Sequence, residues 1–88
     1  NQDISSWDVS NVKYMYEMFQ GSTRFNQDIS SWDVTNVEYM SYMFKGAYAF
    51  NQDLSKWNVG KCLDCMEFRK YATNYTLPIP NFTNCDPN

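Results

Sequence analysis

NQDISSWDVSNVKYMYEMFQGSTRF, from Asn1 to Phe25, is followed without a gap by NQDISSWDVTNVEYMSYMFKGAYAF, from Asn26 to Phe50. The two stretches differ at eight of their 25 positions. A third, more divergent copy, NQDLSKWNVGKCLDCMEFRKYATNY, occupies Asn51 to Tyr75. Self-similarity at a fixed period of about 20–50 residues predicts a repeat array whose unit is a single supersecondary element. One such unit buries too little apolar surface to offset the conformational entropy of ordering it, so three copies are near the minimum for stability. The function of such an array lies in a repeated surface.

Within the first copy, Ile4, Trp7 and Val9 have the spacing of a short strand entered through a turn. Val12, Met15, Met18 and Phe19 then fall at spacings of three, three and one, which reads as one face of a short helix. Ser10 and Thr35 stand where N-caps are wanted, Thr35 with Glu38 makes a capping box, and Gly21 and Gly46 suit left-handed C-caps. The predicted fold is therefore an α/β repeat solenoid, leucine-rich-repeat-like, with one short parallel strand and one short helix per 25-residue repeat. Its repeats are 1–25, 26–50 and 51–75, so the solenoid spans 1–75, and 76–88 is an extended capping tail.

The spacing Ile4-x-x-Trp7-x-Val9 is that of a leucine-rich-repeat strand, and FNQDISSWDVTNVEYMSYMFKGA, from Phe25 to Ala47, resembles the repeat of the BspA-like leucine-rich-repeat surface proteins. That family is also described as a domain of unknown function in Mycoplasma lipoproteins. The resemblance runs from residue 1 to about residue 71 and rests on Trp-Asp-Val-Ser/Thr-Asn-Val followed by Met-Phe. It implies a secreted or surface-attached protein with a role in adhesion or in binding host or matrix proteins. The third repeat departs from the family pattern.

With Ile4, Trp7 and Val9 pointing inward, Ser6 and Asp8, Ser31 and Asp33, and Lys56 and Asn58 face outward on the sheet side. These six are the candidate partner-binding residues; a solvated polar face is the competing reading, since the surface has no aromatic anchor. Asp3, Asp28 and Asp53 stack between repeats and need backbone donors, a cation or solvent. Turns of the Asx type supply the first, and the glycine-punctuated acidic loop of a calcium site is absent. Asn1, Asn26 and Asn51, with Gln2, Gln27 and Gln52, are placed for amide ladders. The outer helix face varies between copies around the recurring Tyr14 and Tyr39, a second possible partner surface.

In the third copy Val12 and Met15 are replaced by Cys62 and Cys65, Phe19 by Arg69 and Gly21 by Tyr71, as suits a terminal repeat that closes the core. Pro78 and Pro80 keep the tail extended, with Leu77, Ile79 and Phe82 available to cap the third repeat. Cys62, Cys65 and Cys85 allow a disulfide from Cys62 or Cys65 to Cys85, or a local Cys62–Cys65 bridge. A redox pair lacks its βαβ setting, and a tetrahedral zinc lacks a fourth ligand. Asn74-Tyr-Thr76 and Asn81-Phe-Thr83 are glycosylation sequons, and beside the cysteines they favour an oxidising secretory route.

The chain has 88 residues, a formal charge of −3, seven scattered Lys and Arg residues and no histidine. Nucleic acid is not an expected partner, because phosphate binding needs a basic stripe. No apolar run approaches the roughly 18 residues of a membrane span. The missing histidine removes the commonest general base and zinc ligand, so no catalytic residue, cofactor or metal is expected. The sequence points to a non-enzymatic extracellular or cell-surface protein-binding or adhesion module. The alternative is a structural subunit or fragment of a larger surface assembly such as a filament, envelope or capsid. In either case upstream repeats or a companion chain would cover an open N-terminal edge at Trp7, Val12 and Phe19.

Overall fold

Each block closes on itself through a run of tight turns. In the computed structural model, which describes residues 3–88, the Trp7 N–H donates to the Ile4 carbonyl and the Val12 N–H to the Val9 carbonyl, both at 3.0 Å. The same pair of turns recurs at Ile29–Trp32 and Val34–Val37, and again at Leu54–Trp57 and Val59–Cys62. An Asp or Asn precedes each one. Asp28 Oδ1, for example, accepts from the Ser30 N–H at 3.0 Å and the Ser30 hydroxyl at 2.7 Å, and Asp33 does the same with Thr35. The carboxylate thereby stands in for the backbone acceptor that a turn leaves unfilled. The residues at the turn starts, Ile4, Val9, Ile29, Val34, Leu54 and Val59, are buried.

Beyond these turns the backbone N–H groups alternate between two destinations. Those of Met15, Glu17, Phe19 and Gly21 donate to the carbonyls of Tyr39, Ser41, Met43 and Lys45 one block on, at 2.8–2.9 Å. Those of Met18, Gln20 and Ser22 return within their own block to Met15, Glu17 and Phe19. The second block repeats the pattern on the third, from Met40, Tyr42, Phe44 and Gly46 to Asp64, Met66, Phe68 and Lys70, at 2.7–2.9 Å. Two left-handed residues per block make the alternation possible: Glu17 and Gly21 at φ 59° and 72°, Tyr42 and Gly46 at 58° and 71°, Glu67 and Tyr71 at 51° and 64°. The blocks thus lie on one another as three parallel layers, called here layer one (3–25), layer two (26–50) and layer three (51–75).

The core runs through the layers as columns of like residues. Phe25 stacks on Phe50 at 5.6 Å between centroids and Phe50 meets the edge of Tyr75 at 5.1 Å, while Phe19 stacks on Phe44 at 5.5 Å. Ring pairs at these separations add roughly 0.5–1.5 kcal/mol each beyond their buried area. The indole N–H of Trp32 donates to the Ile4 carbonyl at 3.2 Å, and that of Trp57 to the Ile29 carbonyl at 3.1 Å, so each buried tryptophan bolts its layer to the one before. The amide ladder is present at Asn26 and Asn51: Asn26 Oδ1 accepts from the Asn51 N–H at 2.8 Å, and Asn51 Oδ1 from the Leu77 N–H at 2.9 Å. Asn1 and Gln2 lie outside the described residues.

The tail continues this layering over layer three. Leu54 N–H donates to the Pro78 carbonyl at 3.0 Å, Phe68 N–H to the Pro87 carbonyl at 3.1 Å, and Asn84 Nδ2 to the Gly60 carbonyl at 2.7 Å. Ile79 and Phe82 pack against the core, whereas Leu77 is exposed.

The expected α/β solenoid is overturned. Among the described residues there is no helix and no sheet, only two isolated parallel bridges, Tyr14 with Tyr39 and Tyr39 with Asp64. The bridges fall in the segment read as helix, and the segment read as strand is turns. The whole is a compact body of radius of gyration 11.6 Å and extents 28 × 28 × 19 Å, close to the roughly 12 Å of a globular chain of this length. Neither a leucine-rich-repeat architecture nor a strand-and-helix repeat describes it. Ser10 and Thr35 consequently cap Asx turns, and Gly21 and Gly46 take their left-handed conformation inside the layered segment, without a helix to end.

Candidate functional site

The six residues expected on a sheet face are all exposed, on turns. Asp8 Oδ1 accepts from the Ser10 N–H at 3.0 Å and its hydroxyl at 2.6 Å, and Asn58 Oδ1 from the Gly60 N–H at 3.0 Å. The Ser10 hydroxyl and N–H hold the Asp8 carboxyl below its ordinary range, as those of Thr35 hold Asp33, with Asp8 itself pushing Asp33 slightly the other way. Asp3 and Asp28 are held low in the same manner by Ser5 and Ser30. These carboxylates already have donors. Ser6, Ser31 and Lys56 lie beside them, exposed.

The feature that stands out is the outer edge of layer one. Trp7 is 48% exposed, against 4% for both Trp32 and Trp57 at the equivalent positions. Its indole N–H, which in the other layers meets the carbonyl of the preceding Ile, has no acceptor among the described residues. Met18 is likewise exposed where Met43 is fully buried, and Val12 and Phe25 are only half-buried. Ile4, Trp7, Met18, Phe19, Arg24 and Phe25 line an open groove of about 810 Å³ here. Phe19, expected to be partly open, is buried because Phe25 stacks on it at 4.1 Å.

The backbone of the same edge is unsatisfied in a regular way. Tyr39, Ser41, Met43 and Lys45 accept N–H groups from layer one, but their counterparts Tyr14, Tyr16, Met18 and Gln20 accept none among the described residues. The edge thus offers a row of carbonyls, a bare indole donor and an apolar groove side by side. All four residues are exposed, so this row is open to water or to another chain. Trp7 was legible in the sequence as an open residue. Met18, Arg24, Phe25 and the carbonyl row were not, because Met18 and Phe25 repeat in layer two as core and only position in the stack distinguishes them.

At the opposite end Cys65 and Cys85 form a disulfide with Cα atoms 5.8 Å apart, tying the tail to layer three. Cys62 is a free, buried thiol. Asn74 and Asn81 of the two sequons are both exposed. Tyr14 and Tyr39 stack at 5.1 Å on the outer side of the layered segment, with the Lys13 ammonium 5.6 Å from the Tyr14 ring.

No curated protein and no solved structure gives a significant match to the chain. The profile of one family, described as Mycoplasma protein of unknown function, DUF285, matches residues 1–83. That match takes in all three layers and the first part of the tail, and the chain belongs to this family.

Proposed function

We propose that the chain is a non-enzymatic protein-binding module of the cell surface or extracellular space, and that it binds through the outer edge of layer one. One observation carries the reading: a row of four unpaired carbonyls lies beside the exposed Trp7 and its groove. An extended polypeptide partner supplies what that edge lacks, with main-chain N–H groups for affinity and an apolar side chain in the groove for selectivity, as in strand addition to a sheet edge. Tryptophan and arginine are the residues most often dominant in such contacts, and Trp7 and Arg24 stand together here. The resemblance to BspA-like surface proteins supports an adhesive role, and the sequons with the disulfide support an oxidising compartment.

A second reading is favoured by the edge's own pattern. Its carbonyls and indole repeat the bonds that join layer one to layer two, so a further block of the same kind in a larger surface assembly would also satisfy it. A panel of soluble matrix and cell-surface proteins, screened by calorimetric titration alongside light scattering of the protein alone, separates the two. Binding at micromolar strength or better, lost in Trp7→Ala with the fold retained, is the expected result. Concentration-dependent self-assembly lost in the same variant favours the assembly reading. Neither response, from a chain that stays monomeric, overturns both.

A further inference from the structure

Three sulfur atoms meet where the tail crosses layer three. Cys65 is bonded to Cys85, and the free Cys62 sulfur lies 4.0 Å from the Cys85 sulfur. Cys62 and Cys65 are both fully buried, at positions that carry Val and Met in the other layers. We infer that Cys62, Cys65 and Cys85 form an internal thiol–disulfide exchange site, in which the tail's tether passes between two anchors in layer three.

The step needs no outside oxidant or reductant. The Cys62 thiol loses its proton, and the resulting thiolate attacks the Cys85 sulfur at its 4.0 Å approach. A Cys62–Cys85 bond forms as the Cys65–Cys85 bond breaks, and Cys65 leaves as a thiolate that takes up a proton. One disulfide and one thiol are present before and after.

The tail is positioned for either anchor. Pro87 and Asn88 carbonyls accept the Phe68 and Glu67 N–H groups, and Asn84 holds the Gly60 carbonyl. These contacts bracket Cys85 on both sides, so it stays in place while its partner changes. Burial pushes the Cys62 thiol up, and the Asp64 charge acts in the same direction. The backbone groups of Asp64 and Met40 act the other way. Among the described residues Asp64 is the charged side chain that acts on this thiol, and its charge disfavours the thiolate. Exchange is accordingly slow at neutral pH and quickens as the solution becomes alkaline.

The experiment incubates the intact oxidised protein at pH 7 and pH 9, quenches with acid, alkylates the free thiol and maps the label by fragmentation. Cleavage after Lys61 and Arg69 leaves Cys62 and Cys65 on one peptide. The expected result is label on Cys62 alone at first, then a growing share on Cys65, at least several-fold faster at pH 9. In Cys65→Ser the expected result is a Cys62–Cys85 bond, with the tail still protected from proteolysis. Label confined to Cys62 at both pH values, together with two free thiols in an oxidised and folded Cys65→Ser protein, would overturn the inference.

Discussion

At Gly46 the constraint is backbone conformation and not space. Its φ of +71° lies in the left-handed region, and a Cβ there would meet nothing nearer than the Gly21 backbone at 3.9 Å. Gly46→Ala should therefore cost about 1–2 kcal/mol through conformation alone, read as a lower urea midpoint with an unchanged slope. Layer three supplies the reverse case. Tyr71 occupies the equivalent position at φ 64° with its ring exposed, the Lys45 and Lys70 ammonium groups lying 5.9 and 5.4 Å from it. Tyr71→Gly should raise the midpoint, because relief of left-handed strain exceeds a solvent-exposed cation–π contact. A fall would show that the ring's contacts outweigh the strain.

Layer by layer, the same residue has different worth. Met43 is completely buried in layer two, while Met18 in layer one is exposed along the groove. Met43→Ala should cost about 2–5 kcal/mol as the stack is left with a cavity, and Met18→Ala less than about 1 kcal/mol. Thermal unfolding of the two variants gives the comparison; near-equal losses would mean that the edge of layer one is covered in solution. The layer was only partly readable from its residues. Of the apolar set Val12, Met15, Met18 and Phe19, Met15 and Phe19 are buried and Val12 packs against the core, whereas Met18 is exposed; Gly21 does adopt a left-handed φ. The error was the element. Spacings of three and one arise equally from consecutive tight turns, since Met18→Met15 and Gln20→Glu17 bonds also close over three residues. What excludes a helix is the left-handed φ at Glu17 and Tyr42, residue types that carry no local signal for it. Similarly, Ile4-x-x-Trp7-x-Val9 alternates like a strand because two turns start at Ile4 and Val9. The Asx bonding of Asp3, Asp28 and Asp53 was legible because it is local, whereas the open edge depends on which layer lies outermost.

Across the whole molecule the repeated Asx turns make stability depend on acid. Asp3, Asp8, Asp28 and Asp33 are each held below the ordinary carboxylate range, first by a hydroxyl and then by an N–H of the residue two positions on. Glu67 is lowered as well, chiefly by Lys45, whose ammonium lies 3.1 Å away. A depressed folded value means that the unfolded chain takes up protons first as the pH falls. The stability these groups confer is complete above their unfolded values, about 3.9 for Asp and 4.3 for Glu, and is lost as the pH drops through the folded ones. The melting temperature should therefore hold steady from pH 7 to about pH 5 and then fall steadily toward pH 2. Replacing Asp8 and Asp33 together with Asn keeps an acceptor at each turn but removes the charge. That double variant should melt below the parent at pH 7, show a shallower fall below pH 5, and approach the parent near pH 2. It also removes the mutual repulsion that nudges Asp33 upward, so a variant more stable than the parent at pH 7 would show that stacking like charges costs more than the turn bonds return. Parallel curves for the two proteins down to pH 2 would exclude these turns as the origin of the acid sensitivity.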